Sequence, residues 1–107
     1  MADKKRILTG LTPSAGQLHI GNYFGCIKPM LDLQKKEEEN AEMFLFLSNM
    51  HAMTKILDGE KVRENSFGLL KLYLACGADP KKFFIYNQAD VPAHAQLCRV
   101  LQCVTHM

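Results

Sequence analysis

The sequence predicts an α/β fold, a parallel sheet with flanking helices, as one domain, or part of one, over residues 1–107. Three observations carry this. Strand-sized apolar runs recur at Ile7-Leu8, Met43 to Leu47 and Phe83 to Tyr86, at a spacing of roughly 35 to 45 residues. Each run is followed by a loop and then by apolar residues at helical spacing, which is the order a parallel crossover needs, and such crossovers are right-handed. A chain of 107 residues with 48% hydrophobic residues can bury one modest core and leaves no room for two.

After a charged start, Arg6 to Thr9 is the first strand and Gly10 to Gly16 a loop rich in Thr, Pro, Ser and Gly. Ile20, Phe24, Ile27 and Leu31 then fall on one helical stripe, so Gly21 to about Lys36 reads as a helix, with Pro29 expected to kink it near its middle. Lys35 to Glu39 is its solvated end. The continuous run Met43 to Leu47 suits a strand covered on both faces. Asp58-Gly59 punctuates, and Val62, Leu69, Leu70, Tyr73 and Leu74 mark a second helix that ends at Gly77, a suitable left-handed cap, with Pro80 beyond it. Phe83 to Tyr86 is the third strand. Asp90 is a possible cap and Pro92 an opening residue for a third helix, whose Leu97, Val100, Leu101 and Val104 share a face and which is still running where the sequence stops at Met107. Met43, Met50 and Met53 read as core fillers.

The formal charge of +2 arises from 13 Lys and Arg against 11 Asp and Glu without a basic stripe, so charge gives no support to a nucleic-acid groove. No secretory signal opens the chain and no window reaches the roughly 18 apolar residues of a membrane span. Cys26, Cys76, Cys98 and Cys103 lack paired spacing and read as reduced thiols, hence a cytoplasmic location. His94, Cys98, Cys103 and His106 invite a metal-site reading, but Cys103 is turned about 140° from Cys98 on a helix, and no metal site is expected.

The stretch Ile7 to Gly25 is strand, polar loop and helix N-terminus. That arrangement suits a phosphate, because the first amides of a helix lack intrahelical partners and the dipole favours an anion. His19 and Asn22 add side-chain donors, and Gly21 allows close approach to the backbone. In open parallel sheets ligands bind beyond the carboxyl ends of the strands near the switch point, where Gly10 to Asn22, Ser48 to Thr54 and Asn87 to Asp90 are expected to converge.

The segment PSAGQLHIGNY resembles the first signature of class I aminoacyl-tRNA synthetases in the HIGN form of the tryptophanyl type. Met50-His51-Ala52-Met53-Thr54 is similar to that family's His-Ala-Ile-Thr segment, Tyr73 to Pro80 to its Tyr-Leu-Ala-x-Gly-x-Asp-Pro, and Gln88 to Ala95 to a further stretch, in the family's order and spacing. The tyrosyl type, which usually ends the first signature in His, is the weaker match. The resemblance implies a Rossmann-like (HUP-type) parallel sheet, first half only, because the second signature KMSKS, the aspartate that reads the indole N–H and the anticodon-binding domain are absent. Residues 1–107 would then be the N-terminal part of the nucleotide-binding catalytic domain. Ala15 lengthens the loop relative to several relatives, and Thr12 stands where many bacterial members have Gln.

The resemblance further implies tryptophan–tRNA ligase activity: activation of L-tryptophan with ATP to the adenylate, then transfer to tRNA(Trp). Thr12, Pro13, Ser14, Gly21 and Asn22 would contact ATP, His19 and Asn22 would be catalytic, and Leu8, Gly10, His51 and Gln88 would lie around the tryptophan. Mg2+ would accompany ATP, the full-length protein would be a homodimer, and the fragment alone would be inactive. The sheet's far edge would be unpaired in a chain of this extent, inviting association. Another HIGH-motif nucleotidyl transferase, a tyrosyl-type synthetase and a non-catalytic Rossmann-like interaction module remain as alternatives.

Overall fold

The computed structural model describes residues 4–13, 18–37 and 40–105. Three strands, β1 (Lys5–Leu11), β2 (Ala41–Leu47) and β3 (Phe83–Asn87), form a parallel sheet in the order β1-β2-β3. The consecutive order means that no strand-order reversal occurs among the described residues. The helical elements are α1 (Ile20–Asn22), α2 (Lys28–Lys36), α3 (Asn49–Ala52), α4 (Gly59–Ala75) and α5 (Ala93–Val104).

Strand side chains alternate between faces, and the register sets Ile7, Met43 and Phe83 in one row and Thr9, Leu45 and Ile85 in the next. This face meets Ile27, Met30 and Leu31 from one crossover and Leu69 and Tyr73 from α4 in a single buried cluster. Ile27, Leu45 and Tyr73 are wholly buried. Ile27 and Leu45 each contribute about 1.5 to 3 kcal/mol by leaving water. The opposite face is not covered as the apolar run of β2 predicts. Leu8 and Phe84 are more than half exposed there, and Phe44 stacks on Phe84 with centroids 4.9 Å apart. A continuous apolar strand fixes its own burial preference but does not supply the covering element, and among the described residues none lies over that end of the face.

The first crossover also departs from a regular helix. Tyr23–Ile27 is a π-turn between α1 and α2, closed by the Lys28 N–H donating to the Tyr23 carbonyl. Pro29 sits in the first turn of α2 just behind it. The distortion therefore precedes the proline: a wide turn accommodates the missing N–H and moves carbonyls away from the ring. The extra residue shifts the phase of the buried stripe. Ile20 and Phe24 are 75% and 58% exposed, while Leu18, Tyr23 and Cys26 pack against the core in their place.

Caps fix the second crossover. Asp58 Oδ1 accepts the Glu60 and Lys61 amides at 3.0 and 3.2 Å, opening α4. At its end Gly77 takes φ 105°, with the Ala78 N–H donating to Tyr73 and the Gly77 N–H to Leu74, a Schellman arrangement that closes the helix at the expected glycine. Buried Gln34 accepts the Asp79 amide at 3.1 Å and ties α2 to the entry of β3. The Tyr73 ring meets Phe83 edge to face at 5.9 Å, and burial pushes its hydroxyl pKa far above the ordinary value. That hydroxyl is buried without a hydrogen-bond partner among the described residues.

Two expectations about α5 are corrected. Asp90 does not cap it; Asp90 accepts from the Asn87 side-chain amide at 2.9 Å inside the 3-10 turn Gln88–Asp90, and Pro92 is the cap residue. The helix stops at Val104, where Thr105 turns extended and its hydroxyl donates to the Leu101 carbonyl. Its Leu97, Val100, Leu101 and Val104 do share a stripe, but they are 51–73% exposed. No described helix is long and apolar enough to cross a membrane.

Candidate functional site

The carboxyl ends of the three strands are tied together by hydrogen bonds. The Ser48 N–H donates to the Leu11 carbonyl at 2.8 Å, and the Thr12 and Ser48 hydroxyls are 2.9 Å apart, joining the loop after β1 to the end of β2. Buried Pro13 offers its carbonyl to the Asn65 side chain at 3.3 Å, which anchors that loop to α4. Asn49 Oδ1 accepts both the Met50 and Ala89 amides, at 3.0 and 3.1 Å, and so clamps α3 to the turn after β3. The start of the loop after β1, the end of β2 and the turn after β3, one part of each stretch expected to converge, are thus held together.

His19 and Asn22 hold the helix start between them. His19 Nδ1 accepts the Asn22 N–H at 3.3 Å, and the His19 N–H donates to Asn22 Oδ1 at 3.1 Å, a reciprocal capping box built from an imidazole and an amide. The bonds fix which atoms remain. With Nδ1 accepting, the proton of the neutral ring resides on Nε2, so Nε2–H and the Asn22 side-chain N–H pair are donors without partners among the described residues. A Cβ at Gly21 would lie 3.0 Å from the His19 ring, so glycine clears room for the imidazole itself. Two side-chain donor groups are thus left at this helix start, and donors of that kind suit an anion.

Thr12 and Pro13 border the same loop, whereas Ser14 and the loop residue Ala15 lie outside the described residues. Leu8 and Gly10 are exposed on the open sheet face. Gly10 has a specific neighbour: a Cβ there would come within 2.5 Å of the Phe46 ring, so this glycine admits the protein's own aromatic side chain. His51 is exposed on α3. Gln88 is half-buried, and its Oε1 is buried with no donor, an acceptor that costs about 1 to 3 kcal/mol until something satisfies it.

A cleft of about 530 Å³ opens between α3, α4 and the end of β3, lined by Asn49, Met50, Met53, Arg63, Phe67 and Asp90 among others. Leu8, Gly10, His51 and Gln88 do not line it. Met50 and Met53, expected in the core, are 40% and 49% exposed there, and only Met43 is a core residue. Arg63 lies over the Phe67 ring at 5.9 Å. Asn49 is the residue that reading the sequence missed. Its signal was present: a short amide side chain directly after a buried strand, at the first position of a helix, bonds backbone amides locally.

Along α5, His94 turns inward to Tyr86, while Cys98 and Cys103 are exposed. Among the described residues no group of three His, Cys, Asp or Glu side chains gathers as a metal site requires, and His106 lies outside them.

The family model described as tRNA synthetases class I (W and Y) matches residues 2–107. The chain is 47% identical over 102 residues to a tryptophan–tRNA ligase of Campylobacter jejuni, covering 95% of this chain and 30% of that protein. It is 41% identical over 105 residues to the tryptophan–tRNA ligase of Prochlorococcus marinus subsp. pastoris, covering 98% and 30%. The crystal structure of C. jejuni tryptophanyl-tRNA synthetase complexed with ADP and tryptophan superposes with a TM-score of 0.82 at 46% identity, over 95% of this chain and 30% of that one. The chain thus spans about 30% of the length of the curated relatives it matches.

Proposed function

The chain belongs to the class I tRNA synthetases of the tryptophan and tyrosine group, and from that premise we propose that it forms the nucleotide-binding part of a tryptophan–tRNA ligase, with Thr12, Pro13, Ser14, His19, Gly21 and Asn22 serving ATP and Leu8, Gly10, His51 and Gln88 serving L-tryptophan. Identity to relatives named tryptophan–tRNA ligase supports the choice of amino acid. The observation that carries the reading is the capping box at His19 and Asn22: the side chains that cap the helix leave one donor each for the phosphates.

In the first step a tryptophan carboxylate oxygen attacks the α-phosphorus of ATP; the new O–P bond forms as the bond to the β-phosphate oxygen breaks, and pyrophosphate leaves. No covalent enzyme nucleophile is needed. The protein must hold two anions in line and stabilise the charge that develops, which positioned donors do without reorganising. His19 Nε2–H and the Asn22 amide act in this way on the phosphates. The Gln88 Oε1, buried and without a donor, would meet the substrate ammonium once its side chain turns outward. The phosphates held by His19 and Asn22 would carry Mg2+ with ATP, which would supply neutralisation of their charge. A hydroxyl at the 3′ end of tRNA(Trp) then attacks the acyl carbon of the adenylate; the new ester bond forms as the bond to the phosphate oxygen breaks and AMP leaves, with the full-length protein acting as a cytoplasmic homodimer.

Tryptophan-dependent exchange of labelled pyrophosphate into ATP, measured on the complete gene product, tests this. Exchange driven by tryptophan is expected. Exchange driven by tyrosine instead would move the protein to the tyrosyl type, and none with either would sink the synthetase reading. The 107-residue chain alone is expected to bind ATP and tryptophan weakly by calorimetry, since it presents one wall of the site.

A further inference from the structure

The register sets Gly10, Phe46 and Tyr86 side by side on the three strands, one residue short of the carboxyl ends of β1, β2 and β3. All three belong to the face that α2 and α4 leave open. Phe46 and Tyr86 stack with centroids 6.0 Å apart and planes 26° from parallel. His94 of α5 completes the group, 5.8 Å from Phe46 and 5.9 Å from Tyr86 with interplanar angles of 28° and 18°. The Tyr86 hydroxyl lies 3.4 Å from His94 Nε2. Phe46 in turn extends across Gly10, where any side chain would collide with it.

This is more than α5 needs for docking. An aliphatic residue at position 94 would bury as much, and the other apolar residues of α5 are left in solvent. What the imidazole adds is a fixed plane and a partner for the tyrosine hydroxyl. Aromatic rings turn broadly about their second torsion, so three near-parallel rings with a hydrogen bond at one end are held where a single ring would swing. The bond also turns the Tyr86 hydroxyl toward the helix. The open face of the row Gly10, Phe46 and Tyr86 is then left without a free polar group from Tyr86.

We propose that Phe46 and Tyr86 are the specificity-determining wall of the amino-acid pocket at Gly10, and that His94 is the positioning residue that holds Tyr86 and keeps that wall apolar. The inference rests on the tryptophan reading of this site. An apolar wall of fixed planes fits an indole and offers no partner to a phenolic hydroxyl; released from His94, the Tyr86 hydroxyl becomes that partner. Loss of the bond therefore weakens selection against tyrosine, a discrimination that pockets obtain from the pairing of buried polar groups.

The test is His94→Phe in the complete gene product, which keeps a ring and removes the nitrogen, with His94→Gln as the conservative variant. Pyrophosphate exchange is measured against tryptophan, tyrosine and ATP, with thermal unfolding alongside. His94→Phe is expected to raise the tryptophan KM and to lower the preference for tryptophan over tyrosine, each by about tenfold, the scale of one net hydrogen bond. The ATP KM should stay constant and His94→Gln should recover part of the preference. In a Tyr86→Phe background the effect of His94→Phe on that preference should vanish. An unchanged tryptophan KM and preference in His94→Phe would overturn the proposal, as would a lowered Tm with both KM values unchanged, the signature of a helix anchor. Failure of the parent protein to use tryptophan would instead overturn the underlying reading, and this one with it.

Discussion

His19 does two jobs with its two ring nitrogens, and a single substitution separates them. Nδ1 caps the helix by accepting the Asn22 amide, and the proposed function gives Nε2–H to the phosphates. His19→Asn retains a side-chain oxygen of cap length but has nothing at the position of Nε2. His19→Ala loses both. A cap is worth about 1 kcal/mol, so the alanine variant should lose that much stability to urea while the asparagine variant stays within about 0.5 kcal/mol of the parent. A preorganised donor to a developing anion is worth about 2.7 to 4 kcal/mol, so both variants should lose about 10² to 10³ in the rate of tryptophan-dependent pyrophosphate exchange. The ratio between them is the diagnostic, because stability splits the variants and rate does not. Exchange by His19→Asn within about threefold of the parent, under 1 kcal/mol, would refute the assignment of Nε2 to the phosphates.

Four further substitutions probe the frame around the site. Tyr73→Phe removes a buried hydroxyl without a partner and should stabilise by about 1 kcal/mol in urea. Because burial raises the folded pKa above the ordinary value of 10.0, the parent keeps its full stability below that pH and loses it as pH rises and the unfolded chain ionises; Tyr73→Phe should flatten that alkaline limb, and a loss of stability on this substitution would refute the reading. Gly77→Ala should cost about 1 to 2 kcal/mol because φ is 105°, whereas Gly68→Ala, in the interior of α4 with open space at its Cβ, should gain about 0.5 to 1 kcal/mol; equal signs in thermal unfolding would refute the backbone argument. Asn49→Ala releases the turn that carries Gln88 and should raise the tryptophan KM by about tenfold with the ATP KM unchanged, as measured by exchange kinetics.

The elements that the sequence made legible are those whose signals are local. Gly77 with Pro80 beyond it marked the end of α4 because only a residue without Cβ enters that conformation cheaply, and the apolar runs marked all three strands. The meeting of the start of the loop after β1, the end of β2 and the turn after β3 followed from topology alone. The failures have a different origin. Ile20 and Phe24 were assigned to the buried stripe by counting at 3.6 residues per turn, and the π-turn breaks the count. Phe44 and Phe84 carry the composition of a doubly covered sheet, but composition names no covering element. Asp90 had the chemistry of a cap, yet Asn87 lies close enough to claim its carboxylate. The donor inventory at His19 and Asn22 was readable as residue types. Which of their atoms stay free was decided by a geometry that spacing does not encode.

The π-turn at Tyr23–Ile27 has a consequence for insertions and deletions in this region. A regular α-helix advances about 100° per residue, so the extra residue sets the angle between the core-facing side chains Ile27 and Leu31 and the donors at His19 and Asn22. Deleting one residue from the turn would yield a more regular helix with every backbone bond in the common pattern. It would also rotate the donors by about a quarter turn relative to the sheet. Regularity and the proposed function are therefore opposed at this point of the chain: a shortened variant can gain helix stability while turning the His19 and Asn22 donors out of their present orientation.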